Sequence, residues 1–352
     1  MSAPRPSSNP LQNLRNAVGE RPAAEVLDEI VRAIRGARTF VAAAHVNPDG
    51  DALGSLAAMG HILRALGKEA RVVIGEEVPE KYRPFFSAGL PEVLDKQGAA
   101  RIAKPEVFIL LDTAVPERAG IFKDLLLAPG VRRLCIDHHL PGSVRHHDLE
   151  LAVPEAPSTG NLVLALADAL DVVVDAPMAR ALWIAVATDT GWFRHSNTTR
   201  WALEDAARLV EHGIDTEGLH ETLYESLTLA RSRLLGAVLS EAREELGGDL
   251  LWSAVSREQL LRHGLGPPDL EGFIDYLKSI RGPRHVAFIA EIEPGRYKVS
   301  LRARGDADVE RIARKFGGGG HAKAAGYRAS GRLEDIVALL REAVSGPYNH
   351  IC

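Results

Sequence analysis

The segment Thr39-Phe-Val-Ala-Ala-Ala-His-Val-Asn-Pro-Asp-Gly-Asp-Ala-Leu-Gly-Ser55 decides the fold. Residues 39–46 are an apolar run of the kind that forms a strand buried on both faces. Asn47-Pro48-Asp49-Gly50-Asp51 signals a turn, and residues 52–67 return to helical spacing. A strand, a turn and a helix in that order argue for a parallel sheet covered by helices. The flanks repeat the theme. Residues 23–37 have helical spacing, and further apolar strands fall at 69–75, 107–114 and 132–139. Ser158 and Thr159 open a capped helix over 158–170, and residues 177–193 begin as another. In such sheets ligands bind beyond the carboxyl ends of the strands. His45, Asp49, Asp51, Asp112, Asp137, His138 and His139 all fall there. One polar residue after a strand is an ordinary turn former. Three successive apolar strands ending in metal-ligating side chains point to a site.

The chain has 352 residues, enough for about two domains. Residues 228–246 read as one long helix closed by Gly247-Gly248, the connector between them. Beyond it, 250–256, 285–294 and 296–304 read as strands, and 307–316 as a helix ended by Gly317. The fold expected is therefore α/β: a parallel-sheet domain over 21–227, a helical linker over 228–247, and a smaller α/β domain over 248–346. Residues 1–20, polar and rich in Pro and Ser, read as a disordered tail.

Hydrophobic residues make up 46% and charged residues 25%, which is globular usage and excludes a disordered or collagen-like chain. With 42 basic against 47 acidic residues, the whole chain is no basic duplex-DNA binder. Residues 278–328 nevertheless hold 12 Lys and Arg against 5 Asp and Glu, a surface suited to phosphate or to solvent. The two cysteines, Cys135 and Cys352, make no disulfide framework and no Cys-rich zinc site. Reducing, cytoplasmic conditions fit best, and no apolar stretch suggests a signal peptide, a transmembrane helix or a membrane partner.

The residues around the first turn do not fit the commoner motifs. An EF-hand counted from Asn47 would need a bidentate Glu at Ala58, and neither a Walker A loop nor a dinucleotide fingerprint is present. Asp51 could be a helix cap. Asp112, in Leu110-Leu111-Asp112-Thr113, is weak alone, as is Asp189 in Ala187-Thr188-Asp189-Thr190-Gly191-Trp192-Phe193. The second His pair, His146 and His147, reads as surface, while Arg194, His195 and Asn197 are candidates for touching substrate.

Together, HVNPDGDALGS (45–55), LLDT (110–113), IDHH (136–139) and ATDTGWF (187–193) resemble, in order and spacing, the motifs of the DHH phosphoesterases. SLRAR (300–304) and GGGGHAKAAG (317–326) resemble the DHH-associated C-terminal domain. The likeness spans about residues 25–345, and its size and ending are most similar to the bacterial nano-RNase type, which degrades short oligoribonucleotides and dephosphorylates 3′,5′-bisphosphoadenosine (pAp). The resemblance implies two divalent ions, most often manganese, with magnesium or cobalt as alternatives. One would be held by His45, Asp49 and Asp112, the other by Asp51, Asp112, His138 and Asp189, with Asp112 bridging. It further implies that His139 contacts the scissile phosphate, that Asp137 orients a histidine, and that Arg302, the Gly317, Gly318, Gly319 and Gly320 backbone and His321 clamp a substrate phosphate. Hard carboxylates with imidazole suit such ions, and four carboxylates balance two divalent charges. The partners implied are short RNA or DNA oligonucleotides and nucleotide phosphates; a homodimer is compatible. A phosphodiesterase of cyclic di-AMP or its linear product is the competing enzyme reading, and a nucleotide-binding regulator the non-enzyme one.

Overall fold

The computed structural model describes residues 11, 14–18, 21–86, 91–140, 146–225 and 227–346. The chain divides into two compact units, 1–225 and 226–352.

In the first unit the elements run α1 (Ala23–Gly36), β1 (Thr39–Ala44), α2 (Gly50–Ala65), β2 (Glu69–Ile74), β3 (Glu92–Val93), α3 (Lys96–Ala100), β4 (Val107–Leu111), α4 (Lys123–Leu126), β5 (Arg132–Asp137), β6 (Leu149–Ala152), α5 (Thr159–Ala169), α6 (Ala176–Asp189), α7 (Arg200–Val210) and α8 (Thr216–Tyr224). Six strands form one sheet in the order β3-β2-β1-β4-β5-β6, every pairing parallel. One core, which includes α1, α2, α5 and α6, packs on one face; a smaller one around Phe108 and Phe122 packs on the other. This is why the central strands carry no polar alternation. The strand order reverses between β1 and β4, which opens a crevice at their carboxyl ends. His45 follows β1 and Asp112 follows β4, so both border it.

Helix α2 lies almost wholly inside, and Gly54 explains how. A Cβ there would stand 2.3 Å from the Ala181 carbonyl of α6, so only glycine lets the two helices approach this closely. That approach brings the start of α2, with Asp51, toward the end of α6, with Asp189.

The second unit contains α9 (Leu229–Ser240), β7 (Arg243–Glu245), β8 (Leu250–Val255), α10 (Arg257–Arg262), α11 (Phe273–Ser279), β9 (His285–Glu293), β10 (Arg296–Ala303), α12 (Val309–Lys315), β11 (Gly319–His321), β12 (Ala324–Ser330) and α13 (Leu333–Ser345). Its sheet runs β11-β12-β10-β9-β8-β7, parallel only at β8–β9. Helices α12 and α13 cover one face, and α9, α10 and α11 pack on part of the other.

Two boundaries differ from the sequence reading. The helix expected over 228–246 stops at Ser240, and Arg243–Glu245 becomes an edge strand opposite Trp252. Leu234, Leu235 and Val238 are buried with Phe273 and Phe288, so the helix is part of the second unit's core rather than a free linker. Tertiary pairing overrode helical propensity at its end. The expected disordered tail is corrected where it is described. Leu11 is fully buried, and Asn16 donates to the Glu150 carbonyl at 2.8 Å and accepts from Ala152 N–H at 2.7 Å. Residues 1–10 lie outside the described residues.

Candidate metal centre

The turn after β1 positions the first candidate ligands. Asn47 takes a left-handed conformation (φ 54°), and Asp49, not Asp51, caps α2, accepting from the N–H groups of Asp51 and Ala52 at 3.0 Å each. Asp51 is thereby free to project from the first turn of α2 into the interior, where it is 1% exposed. Its Oδ1 accepts from Ser55 Oγ at 3.0 Å and Gly160 N–H at 2.9 Å, and its Oδ2 from Thr159 N–H at 2.7 Å. The amino terminus of α5 thus aims two backbone donors at one carboxylate.

Asp112 sits beyond β4 with φ 61°, strained for a residue with a Cβ and tolerated best by Asn, Asp and Gly. Its N–H donates to the Ile136 carbonyl at 3.0 Å, and its Oδ1 accepts from the Thr159 hydroxyl at 2.9 Å. The two oxygens face different neighbours: Oδ2 is 3.2 Å from His45 Nε2, and Oδ1 is 3.7 Å from both His138 Nε2 and His139 Nδ1. His138 Nε2 also stands 3.7 Å from Asp51 Oδ2 and 3.8 Å from Asp189 Oδ2. Ligand atoms therefore gather in overlapping groups: His45, Asp49 and Asp112; Asp51, His138 and Asp189; and Asp112, His138 and His139. The six residues expected as metal ligands stand together at one place.

The donor chemistry fits divalent ions. His45 Nδ1 is 2.8 Å from the Val46 carbonyl and His138 Nδ1 is 3.4 Å from the Ala156 carbonyl. A proton on each Nδ1 leaves Nε2 with its lone pair toward the carboxylates, the tautomer that metal ligation requires. His138 Nε2 is buried and has no hydrogen-bond partner among the described residues, a costly state for a polar atom unless a cation meets it. Burial, then the charges of Asp112, Asp189 and Asp49, pushes the Asp51 carboxyl well above its usual range. Burial likewise raises Asp189, with Asp112 and Asp49 adding to it and His138 opposing. Cations would relieve that repulsion.

Asp137 and His139 form a pair beside the centre, His139 Nδ1 lying 2.7 Å from Asp137 Oδ1. That bond, against the opposing effect of burial, raises His139 to about 9. Its ring is half exposed, so Nε2 can meet a ligand.

Several supporting residues were not read from sequence. Thr159 touches both Asp51 and Asp112, and Asn197, expected at most to touch substrate, instead donates Nδ2 to Asp189 Oδ2 at 2.9 Å. Behind α5, buried Asn161 donates to Asp205 at 2.6 Å. The Ser/Thr opening of α5 was visible as a cap, but nothing local says what its free N–H groups face. His147, expected at the surface, is buried, with Nε2 2.9 Å from the Ala114 carbonyl.

In the second unit Arg302 Nε donates to Asp275 at 2.9 Å from the side of β10. Two of the four glycines expected to cradle a phosphate spend their N–H groups within the protein. Gly317 and Gly318 donate to the Arg314 and Ala313 carbonyls, closing α12, and a Cβ on Gly318 would stand 2.2 Å from the Gly326 carbonyl. Gly319 and Gly320 continue into β11, both exposed; of these two, Gly319 alone has open space beyond Cα. The His321 side chain lies outside the described residues.

The comparisons agree with this layout. Residues 39–186 match the DHH family N-terminal domain, and residues 250–346 the DHHA1 domain. A Thermus thermophilus protein named bifunctional oligoribonuclease and PAP phosphatase NrnA is 32% identical over 319 residues, 90% of this chain and 91% of that one. A Bacillus subtilis protein of the same name is 27% identical, covering 89% of this chain and 98% of its own. The crystal structure of an exopolyphosphatase-related protein from Bacteroides fragilis superposes with a TM-score of 0.82 at 26% identity, covering 91% of this chain and 96% of that one. With its ligand-bearing parallel sheet followed by a DHHA1 unit, this chain belongs to the DHH family of phosphoesterases.

Proposed function

We propose that this enzyme is a manganese-dependent phosphoesterase that degrades short oligoribonucleotides to mononucleotides and removes a phosphate from pAp. The observation that carries the reading is the meeting of two carboxylate–imidazole groups at Asp112, whose two oxygens face one group each. The substrate class rests on the likeness along nearly the whole chain to the Thermus protein.

His45, Asp49 and Asp112 would hold one ion, and Asp51, Asp112, His138 and Asp189 the other. Bound there, divalent ions supply an activated water and neutralise charge on the phosphoryl group. The protein's own part is positioning. Thr159, Gly160 and Ser55 fix Asp51, Thr159 fixes Asp112, and Asn197 fixes Asp189. Asp137 orients His139, whose Nε2 is then directed to a phosphate oxygen. Arg302, a planar fork, would take a second phosphate oxygen pair once it leaves Asp275. Among the described residues no helix is long and apolar enough to cross a membrane, and the reading places the enzyme in the cytoplasm.

The test is a time course with manganese, at equal molarity, on a diribonucleotide, a pentaribonucleotide, a long RNA, pAp, cyclic di-AMP and pyrophosphate. Short RNA and pAp should be consumed fastest. Preference for the long RNA would replace the reading with that of a long-strand exonuclease, and preference for cyclic di-AMP with that of a cyclic-dinucleotide phosphodiesterase.

A further inference from the structure

Strand β10 alternates cleanly: Val299, Leu301 and Ala303 enter the core, while Arg296, Lys298, Ser300 and Arg302 point to the opposite face. On that face α9, α10 and α11 cover β8 and β9, where Val286, Phe288 and Ala290 are buried. The covering stops at β10, which α11 reaches through Asp275 on Arg302. Strands β12 and β11 continue the sheet beyond it, and there the same face carries Ala324, Gly326 and Arg328, none of them buried. The result is a half-face of small residues with cations standing on it.

Register places Lys298 directly opposite Arg328. Like charges directly across a strand pair repel and destabilise it. The neighbouring cations on β10 are neutralised: Arg296 pairs with Glu293 at 2.8 Å and Arg302 with Asp275 at 2.9 Å. Lys298 and Arg328 are both exposed, and neither has an acidic partner among the described residues. Between them and Arg302 lies the row Ser300, Gly326 and Gly319, low enough for an extended strand to lie across. Lys298 is four residues from Arg302 along β10, about 13 Å at strand spacing. That distance is several times the roughly 3.4 Å rise per nucleotide of one duplex strand, so Arg302 and this pair would meet different phosphates.

We propose that Lys298 and Arg328 form an anion subsite for backbone phosphates of single-stranded substrates longer than a dinucleotide. The proposal rests on the activity proposed above and on Arg302 holding the nearer phosphate. A dinucleotide or pAp held at Arg302 would be too short to reach this row, whereas a pentanucleotide is long enough. The pair therefore selects for length within the range of short oligomers without reading sequence.

The experiment compares wild type with the double variant Lys298→Ala/Arg328→Ala, and with Lys298→Glu as a single charge reversal. In manganese, the KM for a pentaribonucleotide should rise about two- to thirtyfold in the double variant, from two exposed charge contacts. The values for a diribonucleotide and pAp should stay within twofold. Binding of a fluorescein-labelled pentaribonucleotide in EDTA, followed by anisotropy across a salt series, separates this inference from the activity. The slope of log affinity against log salt should fall by about 1.4 in the double variant, for two lost contacts to a single strand. Equal binding and equal salt slopes in the two proteins overturn the subsite whether or not the wild type hydrolyses RNA. A wild type that binds the pentamer in this salt-dependent way yet cuts no short RNA would sink the proposed activity and leave the subsite standing. Equal losses on dimer and pentamer would also overturn it, since the pair would then belong to the nearer phosphate's site.

Discussion

The two units handle charge in opposite ways. In the first, acidic groups are gathered indoors: Asp51 and Asp112 are each 1% exposed, and each is held by donors from elements distant in sequence. In the second, basic groups stand on an open sheet face, each held by at most one exposed ion pair. Burying like charges is costly unless a counter-ion arrives, so the first region suits tightly held cations. An exposed guanidinium–carboxylate pair is worth little and exchanges partners readily, which suits a polyanion that must come and go. The difference teaches which residues should fail sharply when changed and which should merely retune binding.

The sharpest failure is expected at Asp112. Asp112→Asn keeps the size and tolerates the left-handed backbone, so the fold should survive, as circular dichroism would register. Removing the charge that both ligand groups share should empty both, and turnover should fall by several orders of magnitude. Elemental analysis of the purified variant decides the matter: two manganese ions still bound per chain would mean that Asp112 is not shared.

A second large effect lies behind the centre, at Asp205. Burial raises this carboxyl from its ordinary 3.8 to about 6, against the opposing hydrogen bond from Asn161. The folded state therefore holds the proton more tightly than the unfolded state. The resulting stability is fully present below about pH 4 and is lost as pH rises through about 6, a loss of about 3 kcal/mol. Asp205→Asn can accept the same bond from Asn161 without a charge. Urea denaturation at a series of pH values should show a steeper loss through this window in wild type than in the variant, which should be the more stable at pH 7.5. Parallel curves would show that Asp205 does not carry the slope.

How much of this could be read in advance follows the same division. His45, Asp49, Asp51, Asp112 and His138 were legible because they belong to a local pattern, an apolar strand followed by a turn carrying His or Asp. The parallel sheet was legible for the same reason. Asp189, at the end of the helix α6, was legible only through the resemblance. The donors that hold those ligands were not, because Thr159 lies 108 positions from Asp51 in the chain and only the packed fold brings them together. Asn197 was noticed, but its bond to Asp189 depends on how the chain turns through three left-handed residues, Gly191, Trp192 and Phe193. In the second unit the glycine run looked like an anion cradle. Gly317 and Gly318 close α12, and Gly318 and Gly320 let the chain approach β12, a steric need that composition does not distinguish from phosphate binding. The end of the 228–246 helix was misread because Arg243–Glu245 suits a helix locally and is claimed by Trp252 across the strand pair.

Thr159 tests whether those distant donors matter. Thr159→Val keeps the shape and the backbone N–H but removes the hydroxyl that reaches Asp112 Oδ1. Loss of such a supporting bond typically costs 10- to 100-fold in metal affinity. Titration of manganese into chelator-treated protein should show that loss, and Thr159→Ser should restore most of it. If Val and Ser variants bind manganese alike, the hydroxyl is not a positioning group and only the backbone donor of α5 counts.

The smallest effect should come from the open side, at Asp275. Its carboxylate is over half exposed and holds Arg302 at 2.9 Å. If a substrate phosphate takes Arg302, it must first displace Asp275, and an exposed pair of this kind is worth about 0.2–1 kcal/mol. Asp275→Ala removes the competitor and leaves the guanidinium in place, so the KM for pAp and dinucleotides should fall by about 1.5- to fivefold. The kcat should be unchanged, because Asp275 touches no reacting group. Arg302→Ala should move the other way, lowering kcat/KM by about ten- to a hundredfold with manganese still bound. The double variant discriminates the two effects: once Arg302 is gone, removing Asp275 should no longer improve KM. An improvement of the same size in both backgrounds would mean that Asp275 acts through general repulsion of the substrate rather than by holding Arg302, and the contrast between a locked acidic interior and an exchangeable basic surface would lose its clearest example.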